Sequence, residues 1–203
     1  LDNTQKRTWK NIKELVLNGN LENSLELKII EVFDALAKAE SSVHGIAPDD
    51  ICFHEIGSID SLVDIIGVCA AVNFLKPNKI YCSAPTLGSG TIKTEHGKLS
   101  IPSPAVIDLV SKFNIEVCTE HECINDELST PTGIAIICTL VDSFKLPIKY
   151  SLNSYGVGIG NKNLPIPNIL RVSKINSCEF ENPSYEEILI QEALIDDQSP
   201  EDI

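Results

Sequence analysis

The 203-residue sequence contains no methionine, the first position included, which predicts a fragment or a reading frame without its start. No apolar run approaches the ~20 residues of a membrane-spanning helix, which excludes a transmembrane role. The polar first ten residues lack the apolar core of a signal peptide. The seven cysteines form no CxxC pair. These absences predict a cytoplasmic protein with reduced, mostly buried thiols.

Basic residues are also scarce. The chain has 16 Lys and Arg against 29 Asp and Glu, a formal charge of −13. Nine of these acids lie between Glu179 and Ile203, a stretch without Lys or Arg. Non-specific binding of nucleic acid needs a basic surface, so the sequence predicts no nucleic-acid partner. A mononucleotide held by backbone amides remains compatible with this charge.

Helical and strand patterns alternate along the chain. Apolar stripes predict helices at 4–18, from Asn20 or Asn23 to Gly45, from Asp60 to 75, at 104–113 and at 133–144. Strands are predicted at 51–54, 79–83, 115–118, 152–159 and 168–174, with a Gly-rich hairpin at 87–101. This order predicts an α/β fold, with α+β as the alternative, in which helices flank a mixed sheet.

A histidine and a glutamate, His54 and Glu55, stand at the end of the short predicted strand at 51–54. In α/β folds, ligands bind at such strand ends. Imidazole and carboxylate suit a divalent metal of borderline softness, or a general base with its partner. The alternative is a histidine bonded to a backbone carbonyl beside a surface glutamate. Glu95 and His96 form a second pair of this kind.

Two segments have the composition of anion seats. In Gly88-Ser89-Gly90 the glycines permit positive φ, so successive amides can surround an anion. The alternative there is an ordinary hairpin. The segment with Thr130, Thr132 and Gly133 opens a helix with hydroxyls and free amides, which suits a phosphate or carboxylate. The alternative for this segment is a plain helix cap.

Two further patterns are weaker. Residues 155–160 read GxGxG, yet they lack the strand, helix and later acid of a dinucleotide site. Cys118, His121 and Cys123 could hold a soft metal. No fourth ligand is evident there, which favours a surface loop with one buried cysteine.

Taken in order along the chain, seven motifs resemble those of one known family. They are VHG at 43–45, FHEIGSIDSLVDIIG at 53–67, LGSG at 87–90, HG with IPSPA at 96–105, ELSTPTG at 127–133, YGVG at 155–158 and PNILRV at 167–172. This order is similar to that of the LarC-type nickel insertion proteins of nickel-pincer nucleotide cofactor synthesis. The resemblance covers roughly residues 9–172, and residues 192–201 are similar to the start of that family's second domain.

The resemblance implies an activity. The family performs CTP-dependent insertion of nickel into pyridinium-3,5-bisthiocarboxylic acid mononucleotide, a cyclometallation by a lyase-class nickel chelatase. It implies that residues 1–175 form a partial first domain and that 176–203 form an acidic linker and the start of a C-terminal domain. That domain would bind CTP with Mg²⁺ or Mn²⁺. A homo-oligomer is also expected. The alternative is a non-catalytic module that binds nickel or the nucleotide and works with a separate C-terminal domain.

The resemblance also directs the choice of site residues. His54, Glu55 and His96 are the expected nickel ligands, with His44 as a weaker candidate. His54 or Glu55 is the expected base for the ring proton that nickel replaces. The nucleotide phosphate is expected on one of two seats, which consist of Gly88, Ser89 and Gly90, or of Thr130, Thr132 and Gly133.

Overall fold

The computed structural model of the protein describes residues 7–53, 59–94, 97–118 and 124–177. The chain divides into two compact units. The first unit comprises Leu1–Leu146 and Val157–Leu170, and the second comprises Pro147–Gly156 and Arg171–Ile203.

Helices and short antiparallel strands are mixed along the chain, which confirms the α/β fold class. The helices are α1 (Trp9–Leu17), α2 (Asn23–His44), α3 (Ile59–Leu75), α4 (Pro104–Lys112) and α5 (Pro131–Leu140), with a short 3-10 turn at Pro48–Asp50. The strands are β1 (Arg7–Thr8), β2 (Cys52–Phe53), β3 (Thr91–Thr94), β4 (Gly97–Ser100), β5 (Tyr150–Ile159) and β6 (Ile169–Ser177). Within the described residues they pair as β1–β2, β3–β4 and β5–β6.

Two predicted strands are reduced to single bridges. Tyr81 pairs in parallel with Ser143, and Cys118 pairs in parallel with Thr86. Pro85 follows the first of these segments and has no N–H to donate, so the ladder cannot continue through it. Parallel pairing therefore occurs at isolated positions, and the hairpin predicted at 87–101 forms as β3 and β4.

The core of the first unit is built around α2. The apolar stripe predicted for this helix is fully buried at Ile29, Val32, Phe33 and Leu36. It packs against α1, α3, α4 and α5. The Trp9 ring stacks on Phe33 with centroids 5.9 Å apart, and the Phe53 ring lies 6.2 Å from that of Phe33. These aromatic contacts join α1 and β2 to the central helix.

The helix ends that the structure describes follow the expected chemistry. Gly45 ends α2 in the left-handed region at φ +68°, as predicted, and its N–H donates to the Ser41 carbonyl at 2.8 Å. Residues 54–58, directly before α3, lie outside the described residues, so the Asp60 cap of α3 stays a prediction.

The second unit has few described residues. Residues 150–156 of β5 and 171–176 of β6 are exposed along nearly their whole length. The Asn153 side-chain amide donates to the Asn176 Oδ1 at 3.2 Å, which links the two strands. Of the helices in the described part of the whole chain, none combines the length and apolar character needed to cross a membrane.

Candidate functional site

A cleft of about 430 Å³ lies between α3 and the start of α5, within the first unit. We call it the α3–α5 cleft. Its lining consists of Val63, Asp64, Gly67, Val68, Thr130, Thr132, Gly133 and Ile136. Three of the predicted anion-seat residues therefore open into one cavity, opposite a carboxylate from the neighbouring helix.

Thr130 is the residue that caps α5. Its backbone is extended, and its Oγ1 accepts the Gly133 N–H at 3.2 Å. The Ile134 N–H donates to the Thr130 carbonyl at 3.0 Å. Pro131 occupies the first helical position and has no N–H. Within the described residues, the Thr132 N–H is left as the free donor of this helix start.

The first turn of α5 is therefore a narrow anion seat. A ligand oxygen can accept the Thr132 N–H, with the positive end of the helix dipole behind it. The hydroxyls of Thr130 and Thr132 add donors beside that position. Gly133 has no side chain that would occupy the space beside the Thr132 N–H. A Cβ there would approach only the Thr130 Oγ1, at 3.5 Å.

Asp64 is the one carboxylate on the described lining of the cleft. It lies in the second turn of α3 and is exposed, so it is too far along the helix to act as a cap. Ionised carboxylates accept hydrogen bonds and attract cations. Asp64 can therefore bind sugar hydroxyls or a positively charged ring on the side of the cleft opposite the anion seat.

Sequence reasoning missed Gly67, Val68 and Ile136 as lining residues. Val63, Asp64 and Gly67 lie at helical spacing, so they share one face of α3. A glycine inside a helix is unfavourable by about 1 kcal/mol relative to alanine, and nothing lies within 4 Å of a Cβ placed at Gly67. Close packing does not explain Gly67, so this glycine was the sequence signal that could have indicated the α3–α5 cleft.

The other predicted anion seat has a packing role in the structure. Gly88 and Gly90 have φ of +82° and +93°. A Cβ at Gly88 would overlap the Asp126 carbonyl, and one at Gly90 would overlap the Asn125 side chain. The Ser89 N–H donates to the Ile124 carbonyl at 3.2 Å. Close approach of the 124–127 segment thus explains these glycines, and nucleotide binding here stays a prediction.

The predicted nickel ligands His54, Glu55 and His96 lie outside the described residues. Glu55 stands four positions before Ile59, the first residue of α3. Among the residues that the structure describes, no group of three or more His, Cys, Asp or Glu side chains could hold a metal ion. The described lining alone therefore does not fit a Mg²⁺ or Mn²⁺ site, and the nickel ligands remain a prediction.

The weaker candidates lie elsewhere. His44 ends α2, with its Nε2 3.5 Å from a Glu40 carboxylate oxygen, and it does not line the α3–α5 cleft. Cys118 is half-buried at its bridge to Thr86. His121 and Cys123, its predicted companions, lie outside the described residues.

Burial raises the pKa of two cysteines on the helices that form the cleft. Cys69 of α3 is fully buried, and burial raises its pKa to about 11. Burial also raises the pKa of Cys138 on α5 to about 12. A thiol binds metal as the thiolate, so these side chains act as small apolar groups.

A second cleft, of about 550 Å³, lies near the start of α2 and the end of α3. Its polar groups pair with one another. The Ser24 hydroxyl and the Asn73 amide donate to the two Glu22 carboxylate oxygens, each at 3.0 Å. These bonds hold the pKa of Glu22 below its usual value. The network joins two helix ends, which accounts for these residues structurally.

The fold and the α3–α5 cleft define a mixed α/β protein with an anion seat at a helix start, facing a carboxylate. The chain belongs to the nickel insertion protein family, which matches residues 1–203.

Cyanobacterial relatives agree with this assignment. A protein of Cyanothece sp. named "Putative nickel insertion protein" is 38% identical over 205 residues, covering 97% of this chain and 50% of the relative. A protein of Gloeothece citriformis with the same name is 41% identical over 192 residues, covering 95% and 46%. The chain therefore spans about half the length of the curated relatives it matches. No solved structure matches the chain significantly.

Proposed function

We propose that this chain is the substrate-binding half of a nickel-inserting enzyme, and that the α3–α5 cleft binds the phosphate of a pyridinium mononucleotide. Membership of the nickel insertion family supports the reaction class. The observation that carries the binding site is the free Thr132 N–H at the start of α5, which opens into the cleft opposite Asp64. Because the relatives are about twice as long, the activity belongs to the longer protein.

The proposed substrate is pyridinium-3,5-bisthiocarboxylic acid mononucleotide. Its phosphate would accept the Thr132 N–H and the nearby threonine hydroxyls. Asp64 would repel a phosphate, so it is assigned to the ribose hydroxyls or the cationic ring. A cleft of about 430 Å³ lies within the usual size range of small-molecule sites.

Nickel is a substrate of the proposed reaction. His54, Glu55 and His96 are proposed to hold Ni²⁺, because imidazole and carboxylate ligands suit this ion. Nickel replaces a proton on a pyridinium carbon, and the two thiocarboxylate sulfurs complete its binding. As the thiocarboxylate sulfurs replace Glu55 or His54 on the ion, the released side chain is proposed to be the base that accepts the displaced proton.

CTP is proposed to activate the substrate by transferring its cytidylyl group to it, with diphosphate as the leaving group. We assign CTP and its Mg²⁺ or Mn²⁺ to the other half of the longer protein, which residues 176–203 are proposed to begin. That assignment agrees with the described residues of this chain, whose cleft lining does not fit such a metal.

Nucleotide binding is tested by calorimetric titration with nicotinic acid mononucleotide, a pyridinium mononucleotide that carries a carboxylate. Gly133→Ala should weaken binding about tenfold, because the added methyl group narrows the anion seat. Thr139→Val at the far end of α5 is the matched control. Its hydroxyl bonds the Ala135 carbonyl at 2.9 Å, away from the cleft, so binding should be unchanged. Equal affinity in wild type and Gly133→Ala would refute this site.

Nickel binding is tested by equilibrium dialysis of Ni²⁺ against the wild type and single histidine variants. His54→Ala and His96→Ala should each lower the affinity at least tenfold, whereas the control His44→Ala should not. Turnover is then measured with the separately produced second half, CTP and nickel. Nickel binding without any dependence of turnover on His54 or His96 would favour the non-catalytic module.

A further inference from the structure

The open end of the β5–β6 hairpin, residues 147–156 and 171–177, exposes apolar side chains on both faces. Ile148 is 95% exposed, and Leu152 and Val172 are 55% and 58% exposed. A two-stranded hairpin is at best marginally stable in water unless another strand or a helix covers it. These side chains therefore indicate a surface that another polypeptide segment covers.

The same surface is basic, although the chain as a whole is acidic. Residues 147–177 contain four Lys and Arg and no Asp or Glu. Three of these cations, Lys149, Arg171 and Lys174, belong to the open end. Within the described residues, no carboxylate pairs with any of the three. These three cations can therefore pair with acidic side chains of another segment.

The cations are distributed over both faces of the hairpin. Asn153 and Asn176 bond to each other and so share a face. Alternation along a strand places Lys174 on that face and Arg171 on the opposite one. The strand edges add unpaired backbone groups, which accept a further strand or the polar ends of a helix. An occupant that is both acidic and apolar would match this surface.

We propose that the acidic segment of this same chain, residues 179–203, docks on the open end of the hairpin. It carries nine carboxylates and no Lys or Arg. Apolar residues interrupt its charges at Ile188, Leu189, Ile190, Leu194 and Ile195. It follows β6 almost directly, so its effective concentration at the hairpin is high. This inference is independent of the proposed nickel chemistry.

The test is hydrogen exchange of the β5 and β6 backbone amides in the full chain. Arg171→Glu combined with Lys174→Glu should speed exchange about three- to tenfold at low salt, the range expected for a few exposed ion pairs. High salt should remove most of that difference. Adding Glu186→Lys and Glu187→Lys should restore slow exchange. Lys98→Glu, on exposed β4, is the matched control and should leave β5 and β6 unchanged.

The remaining outcomes overturn the proposal. Equal exchange in the wild type and the Arg171→Glu, Lys174→Glu variant shows that charge does not hold a cover in place. Failure of the compensating pair to restore slow exchange excludes the acidic segment as the partner. Protection that rises with protein concentration identifies a second copy of the chain as the occupant instead.

Discussion

The helical core around α2 and the β5–β6 hairpin contain similar apolar residues, and they differ in how many of these are buried. Leu36 and Ile29 of α2 are fully buried, whereas Leu152 and Val172 are more than half exposed. The core gains stability from packed side chains. The β5–β6 hairpin is held together mainly by hydrogen bonds between the backbones of its two strands. The first unit therefore contains its own stabilising side-chain contacts, whereas the side chains at the open end of the hairpin are largely exposed.

The largest expected effect comes from one leucine truncation made in each region. Leu36→Ala should lower the free energy of unfolding by about 2–5 kcal/mol, because it leaves a cavity in a packed core. Leu152→Ala should lower it by less than about 1 kcal/mol. Urea denaturation followed by circular dichroism measures both. Equal losses would contradict this difference, since they would show that Leu152 is as well covered as Leu36.

Glycine substitutions should differ in sign or size between the regions. Gly45→Ala should cost about 1–2 kcal/mol, because alanine is strained at φ +68°. Gly156→Ala on β5 should change stability by less than about 0.5 kcal/mol, since nothing lies within 4 Å of the added Cβ. Thermal unfolding of the two variants compares them. A large loss from Gly156→Ala would indicate close packing on the hairpin.

Thiol chemistry should show how tightly the first unit packs. Cys69 is fully buried, so at pH 8 it should react with iodoacetamide at least about 100-fold more slowly than an exposed thiol of ordinary pKa 9.0. Burial also raises the pKa of Cys69 to about 11, which lowers its thiolate fraction at that pH. Mass spectrometry of labelled peptides gives the rates. Rapid labelling of Cys69 at pH 8 would show that α3 opens readily.

The smallest effect concerns the loop between β5 and β6. Lys162 lies 2.6 Å from the Asp126 carboxylate, and its hydrogen bond keeps the pKa of Asp126 below the usual value. Lys162→Ala should cost about 0.2–1 kcal/mol at neutral pH, as exposed ion pairs do. Because the pKa of Asp126 is lower in the folded state, its ionised form stabilises the fold at pH values above the unfolded-state pKa. The free-energy cost of Lys162→Ala should therefore vanish as the pH falls through the folded-state pKa. A cost that persists in acid would contradict this origin.

Local sequence signals predicted most helices, because their apolar stripes and end residues act within one turn. The Gly45 stop and the Thr130 cap are examples. The strands at 79–83 and 115–118 were not predicted correctly, because a ladder depends on which segments meet and not on their own composition. The α3–α5 cleft was found in part. Thr130, Thr132 and Gly133 carried a helix-start signal, whereas Val68 and Ile136 line the cleft only through helix packing.

The aromatic stack at Trp9 has a spectroscopic consequence. Trp9 is the single tryptophan of the chain, and its ring lies against Phe33, which in turn contacts Phe53. Phe53 directly precedes His54, a proposed nickel ligand. The fluorescent Trp9 ring is therefore linked through Phe33 to Phe53, the residue next to His54. Trp9 emission should therefore change when Ni²⁺ is added, if His54 binds the ion as proposed, and the measurement needs no attached dye.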